Sequence, residues 1–173
     1  MRAFQAPVFA AVLALLATGA WAQDLNLESF TPTTLAEAKA DFLADAQAFV
    51  AAAPDNLLDN YFDQGDRRWR AQAAYAGRSR PLEPDELKFI RAWLKTVRRE
   101  DAAGMFTTSY LFTVDGKDYW LPVEAQVAAF FPSELKPGDV IDLYLAEIGG
   151  THRRDGWVWL PVVEEFQKLE KSS

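Results

Sequence analysis

Residues 106–123 read FTTSYLFTVDGKDYWLPV. Phe106, Thr108, Tyr110, Phe112 and Val114 alternate with Thr107, Ser109, Leu111 and Thr113, the period of two that sends successive side chains to opposite faces of a strand. Asp115-Gly116 then turns the chain into Lys117–Val123, because a two-residue hairpin turn needs positive φ at both central positions and Asp and Gly tolerate it. The segment is a β-hairpin, and it makes the C-terminal half of the chain a sheet.

Working outward toward the C-terminus, Glu124–Phe131 (EAQVAAFF) reads as a short helix, and Leu135–Asp139 as a turn feeding a strand over Val140–Ile148. A longer loop, Gly149–Gly156, leads to a last strand at Trp157–Val163, and Glu164–Glu170 is expected to close as a helix. Trp120-Leu121-Pro122-Val123 recurs as Trp159-Leu160-Pro161-Val162, with Asp-Gly upstream and a carboxylate, Glu124 or Glu164, downstream of each copy. One reading is a duplicated unit in which each copy ends a hairpin and leads into a helix; the other is coincidence between two aromatic hairpins. Proline donates no backbone hydrogen bond, so both copies are expected at a strand end or edge. The order strand, strand, helix, strand, strand resembles a small, partly open barrel of the OB or SH3-like kind. An OB barrel has five strands and this reading counts four, and no diagnostic motif assigns a family.

Working outward toward the N-terminus, the pattern is helical. Thr34-Leu35-Ala36-Glu37 matches a capping box, and Leu35, Ala38, Phe42, Ala46, Phe49 and Ala53 form one apolar stripe that Pro54 ends. A second helix starts at Pro84, with Asp85 and Glu86 in its first turn, Arg98 and Arg99 in its last, and Leu87, Ile90, Leu94 and Val97 as its buried side. Residues 55–80 are read as shorter helices broken at Gly65 and Gly77. The fold class is therefore α+β: an N-terminal helical layer (residues 34–101) packed on a C-terminal, mostly antiparallel sheet or small barrel (residues 105–166).

Residues 1–22 are set apart from this domain. Arg2, the apolar run Val8–Ala17 and Ala20-Trp21-Ala22 have the charge, length and small-residue pattern of a cleaved secretory leader. The run is too short to span a bilayer, for which about 20 residues are needed. The mature chain is expected to comprise residues 23–173 as one domain without a transmembrane segment, periplasmic or secreted. With no cysteine, it has neither disulfides nor a thiol nucleophile to draw on.

Of 173 residues, 50% are apolar and 25% charged, which is globular composition and excludes a disordered chain. The net charge of −7 argues against a nucleic-acid binder, which releases counterions through a surplus of Lys and Arg. Chemistry has few footholds. His152, the single histidine, sits between Thr151 and Arg153-Arg154, where adjacent cations disfavour both its protonation and a metal. Asp55, Asp59, Asp63 and Asp66 lack the alternate-residue spacing of a calcium loop. There is no nucleophile elbow and no phosphate-binding loop, so neither cofactor nor metal is expected. Glu124 and Glu164 are weak catalytic candidates, an acid pair if the two WLPV copies face each other.

Charge placement is more informative. Residues 66–99 carry ten basic side chains against four acidic ones, inside an otherwise acidic chain. Arg91, Lys95 and Arg98 fall on one helical face beside Trp93, with Arg99 adjoining. The segment either complements the acidic half of the chain or forms an external anion-binding or membrane-apposed face. Trp120, Trp157 and Trp159 add flat aromatics that stack on sugars or anchor a partner, unless they pack the core. The expectation is a non-enzymatic periplasmic binding or accessory module that uses the basic face and the aromatic strands to hold an envelope protein, a glycan or an anionic ligand. The alternative is a carboxylate-dependent hydrolase acting on envelope glycans.

Overall fold

The computed structural model describes residues 26–52, 60–63, 67–152 and 156–169. The leader region and most of the Asp55–Asp66 run lie outside these residues, as does the His152 side chain. The elements in chain order are β1 (Thr31–Pro32), α1 (Leu35–Ala52), β2 (Asn60–Asp63), β3 (Arg68–Pro81), α2 (Pro84–Thr96), β4 (Phe106–Val114), β5 (Lys117–Glu124), α3 (Ala125–Ala128), α4 (Phe131–Glu134), β6 (Val140–His152) and β7 (Gly156–Lys168).

Five strands close into a barrel in the order β3-β4-β5-β7-β6, with β6 pairing back to β3. All pairings in the ring are antiparallel except β5 with β7, which run parallel through Val123 and Val163. β2 adds one extra strand along the far end of β6, and β1 touches β3. Five barrel strands with the short helices α3 and α4 between the third and fourth make the architecture OB-like rather than SH3-like, and the barrel is closed rather than partly open.

The fifth strand, β3, corrects the reading of residues 55–80 as short helices and of residues 34–101 as a wholly helical layer. Ala71, Ala73 and Tyr75 are buried and alternate with outward Arg70, Gln72 and Ala74, which is a strand period. Alanine favours helix locally, yet small side chains are what a narrow closed barrel admits, so tertiary context overrides propensity here. Gly77 does not break a helix; at φ 70° it sits in the bulge between Tyr75 and Ser79 of β3, a conformation that glycine adopts without strain.

Two further expectations fail at the C-terminus. Glu164–Lys168 is strand, because β6 offers it a ladder from Tyr144↔Glu165 to Ile141↔Lys168. The WLPV copies are therefore not equivalent: the first leads into α3, and the second runs on through β7. Their prolines also lie within the ladder rather than at its ends, Pro122 opposite Ser109 and Pro161 opposite Glu147. Both prolines flank the β5–β7 seam, where Val123↔Val163 is the one register pair and few donors are called for.

Other local signals appear as read. The Asp115-Gly116 turn has φ of 49° and 75°, and Val114 pairs with Lys117 across it. At the start of α1, Glu37 N–H donates to Thr34 Oγ1 and Thr34 N–H to Glu37 Oε2, each at 3.1 Å. Those bonds, the backbone one foremost, hold the Glu37 carboxyl below its ordinary value.

Inside the barrel, Phe112, Val114, Leu121, Val123, Ile141, Leu143, Leu145 and Val163 form the core, with Leu35 reaching in from α1 and Val127 and Phe131 from α3 and α4. Phe131 is 1% exposed and stands edge-on to Tyr110 (4.8 Å between ring centroids), Phe166 (5.1 Å) and Tyr75 (5.4 Å). Burying such a ring contributes roughly 2–3 kcal/mol, which fixes α4 against the barrel. A second core lies outside the barrel wall, where Ile90 and Leu94 of α2 meet Phe106, Ile148, Leu160 and Val162. This outer core holds α2 with one side down.

Candidate functional site

The side of α2 away from that core carries the basic stripe. Arg91, Lys95 and Arg98 are exposed, as is Lys88 one turn earlier, and none of the four makes an ion pair among the described residues. Arg99 differs: its Nε donates to Asp101 Oδ1 at 3.2 Å, and its backbone N–H donates to the Leu94 carbonyl, closing the helix end. The helix start is fixed equally firmly. Glu83 and Glu86 form a capping box, and Arg80 of β3 binds Glu83 and, at 2.9 Å, Glu86. Lys88, Arg91 and Lys95 thus form a fixed row of about 10 Å, given the 1.5 Å rise per residue; Arg98 does not continue that row, because α2 ends at Thr96 and Arg98 has a left-handed φ of 57°, which corrects the reading that placed it in the last helical turn.

The three tryptophans separate. Trp120, half-buried on β5, has the guanidinium carbons of Arg80 and Arg78 at 5.0 and 5.7 Å from its ring. Trp157 and Trp159 are turned to α1: Phe42 stands edge-on to Trp157 at 6.5 Å, and Lys39 lies over Trp159 at 6.0 Å. Trp159 Nε1 and Trp69 Nε1 both donate to Glu147 Oε2, at 3.0 and 3.1 Å. Arg67 approaches Glu147 Oε1 at 3.6 Å and also pairs with Asp45 of α1. The Glu147 side chain is 2% exposed, so this network satisfies a buried carboxylate while tying α1 to the barrel. Sequence reasoning missed Trp69, Arg67 and Glu147. The alternation through β3 was the signal that would have brought Trp69 to the inner face.

Glu124 and Glu164 are brought together, although not by the twofold pairing of duplicated units that suggested them. Val123↔Val163 places them side by side where β5 and β7 run parallel. Burial first, then the charge of Glu164, pushes the Glu124 carboxyl up to about 7, while a 2.7 Å bond from Gln126 and the Arg99 charge oppose the rise. Glu164 has Arg68 Nε at 3.9 Å. An acid protonated near neutrality beside a carboxylate held by a cation is an arrangement able to donate and accept a proton.

Among the described residues, no cluster of three or more His, Asp or Glu is placed to hold a metal, and no helix is long and apolar enough to cross a membrane. No protein-family model matches the chain, and neither a curated protein nor a solved structure matches it significantly.

Proposed function

We propose that the chain is an exported, non-enzymatic binding module of the cell envelope that meets an anionic partner through the outer side of α2. The observation that carries this reading is the set Lys88, Arg91 and Lys95 on α2 with Arg98 just past its end, all exposed and without ion pairs among the described residues, on a helix whose other side is anchored by Ile90 and Leu94. Cations that served to complement the acidic half of the chain would be paired with it. Three cations held in a row on α2, with a fourth at its end, instead pre-pay the ordering cost of binding an extended anionic surface.

The test uses residues 23–173 and two probes, phosphatidylglycerol vesicles and the acidic polysaccharide polygalacturonate. Binding to at least one is expected, falling steeply from low to physiological salt and lost when the four cations become Gln. Absence of binding to both, or binding indifferent to the substitutions, overturns the reading. Export is tested separately: osmotic shock is expected to release a chain beginning at Gln23.

The second reading, a carboxylate-dependent hydrolase of envelope glycans, is favoured by the Glu124–Glu164 neighbourhood and the raised Glu124 carboxyl. It requires that Glu124→Gln and Glu164→Gln each abolish measurable glycan turnover, whereas the module reading requires that wild type show none.

A further inference from the structure

The two long helices each turn one face to solvent, and the two faces carry opposite charge. On α2 the outer side is centred on exposed Ala92, away from buried Ile90 and Leu94, with Lys88, Arg91 and Lys95 along one flank. On α1, Leu35, Ala38, Phe42 and Ala46 are buried, yet the outer side is apolar as well: Ala36, Ala40, Ala44 and Ala48 are exposed at steps of four. A helix on a protein surface ordinarily turns polar residues outward, so an apolar outer side gains by being covered. Beside these alanines runs an exposed acidic row, Glu37, Asp41 and Asp45. Arg67 engages Asp45 and Glu37 closes the helix start, whereas Asp41 makes no ion pair among the described residues.

The rows match in length as well as in sign. Glu37 to Asp45 spans about 12 Å and Lys88 to Lys95 about 10 Å, at 1.5 Å per residue. They match in hand too. Each acid of α1 directly follows an alanine (Ala36-Glu37, Ala40-Asp41, Ala44-Asp45), while on α2 Arg91 directly precedes Ala92. Two helices packed parallel bring the flank that follows on one against the flank that precedes on the other. Alanine against alanine then sets acids against cations, which antiparallel packing would place on opposite sides. We propose that the cationic side of α2 docks on α1 of a second copy of this chain, the two helices parallel, with Arg91 meeting Asp41. The proposal rests on the reading of α2 as the contact surface for an anionic partner, and it names that partner. Because the two faces differ, the contact is heterologous: a pair leaves one α1 face and one α2 face open, and further copies add head to tail. Exposed ion pairs are individually weak, so the association is expected only at high protein concentration.

The experiment is sedimentation velocity of residues 23–173 from about 10 μM to about 1 mM at low salt, with Asp41→Arg and Arg91→Asp as variants. Wild type is expected to gain mass with concentration and to lose that gain at about 0.5 M salt, where screening shortens the reach of exposed charges. Each variant alone sets like charges against each other and should weaken association about tenfold or more. Mixed in equal amounts, the intact α2 of Asp41→Arg meets the intact α1 of Arg91→Asp, and association should return. Both positions are exposed, so neither substitution disturbs the core. A wild type that stays monomeric throughout, variants that associate as wild type does, or a mixture that fails to recover overturns the proposal. Self-association that fails while vesicles or polygalacturonate are still bound through the four cations overturns this partner and not the reading it rests on.

Discussion

Val123 on β5 and Val163 on β7 are register partners in a parallel pairing, and the residues that follow them, Glu124 and Glu164, are neighbours for that reason alone. An antiparallel pairing of the same strands would send the two acids to opposite ends. Closing this barrel requires one parallel contact, and it falls where two like charges follow two similar segments. The consequence is electrostatic: one carboxyl is kept from ionising until near neutrality.

Stability is therefore expected to respond to pH through Glu124. Its folded-state value of about 7 lies above the ordinary 4.5, so the folded protein binds this proton more tightly than the unfolded chain does. The stabilising contribution is full below the ordinary value and is lost as pH rises through about 7. Glu124→Gln should remove that slope and, at about pH 8, be more stable than wild type by about 1–2 kcal/mol after allowance for solvent screening. Urea melts of both proteins at acid and alkaline pH check it; equal slopes would contradict it.

Glu147 should be far less tolerant. Glu147→Ala leaves the Trp69 and Trp159 indoles without their acceptor and is expected to cost about 2–4 kcal/mol. Glu147→Gln keeps an acceptor oxygen and should cost less. Urea melts give the ranking, and near-ultraviolet circular dichroism reports whether the tryptophans lose their fixed setting.

Gly149 is predicted to tolerate no side chain, because a Cβ there would overlap the Phe42 ring of α1. Gly149→Ala should cost about 1–3 kcal/mol through overpacking. Adding Phe42→Leu to it should cost less than the two single changes summed, a coupling that a double-mutant cycle measures. Additive losses would show that α1 does not rest on this glycine.

Replacing Lys88, Arg91, Lys95 and Arg98 by Gln should change stability by less than about 0.5 kcal/mol, because these side chains have no ion-pair partner to lose among the described residues. A large fall in the melting temperature would return the stripe to an internal role.

Several features of the fold were legible because they depend on neighbours in sequence. The Thr34–Glu37 cap and the end of α1 before Pro54 are short-range, as is the Asp115-Gly116 turn. The basic stripe was legible too, since helical spacing alone gathers Arg91 and Lys95. β3 was not, because Ala71 and Ala73 favour helix until a barrel interior requires small residues. Nor was the end of β7: Glu164–Lys168 carries a helix-like pattern, and only the facing stretch of β6 makes it strand.

The sequence by itself determined the α+β class, the caps, the hairpin and the charge asymmetry, all set by interactions within a few residues or by composition. Tertiary structure alone decided the closure of five strands, the neighbourhood of Glu124 and Glu164, and the separate uses of Trp120, Trp157 and Trp159. Those depend on register between strands distant in sequence, where one residue of shift turns every side chain to the other face, and no local pattern specifies which partner a strand will find.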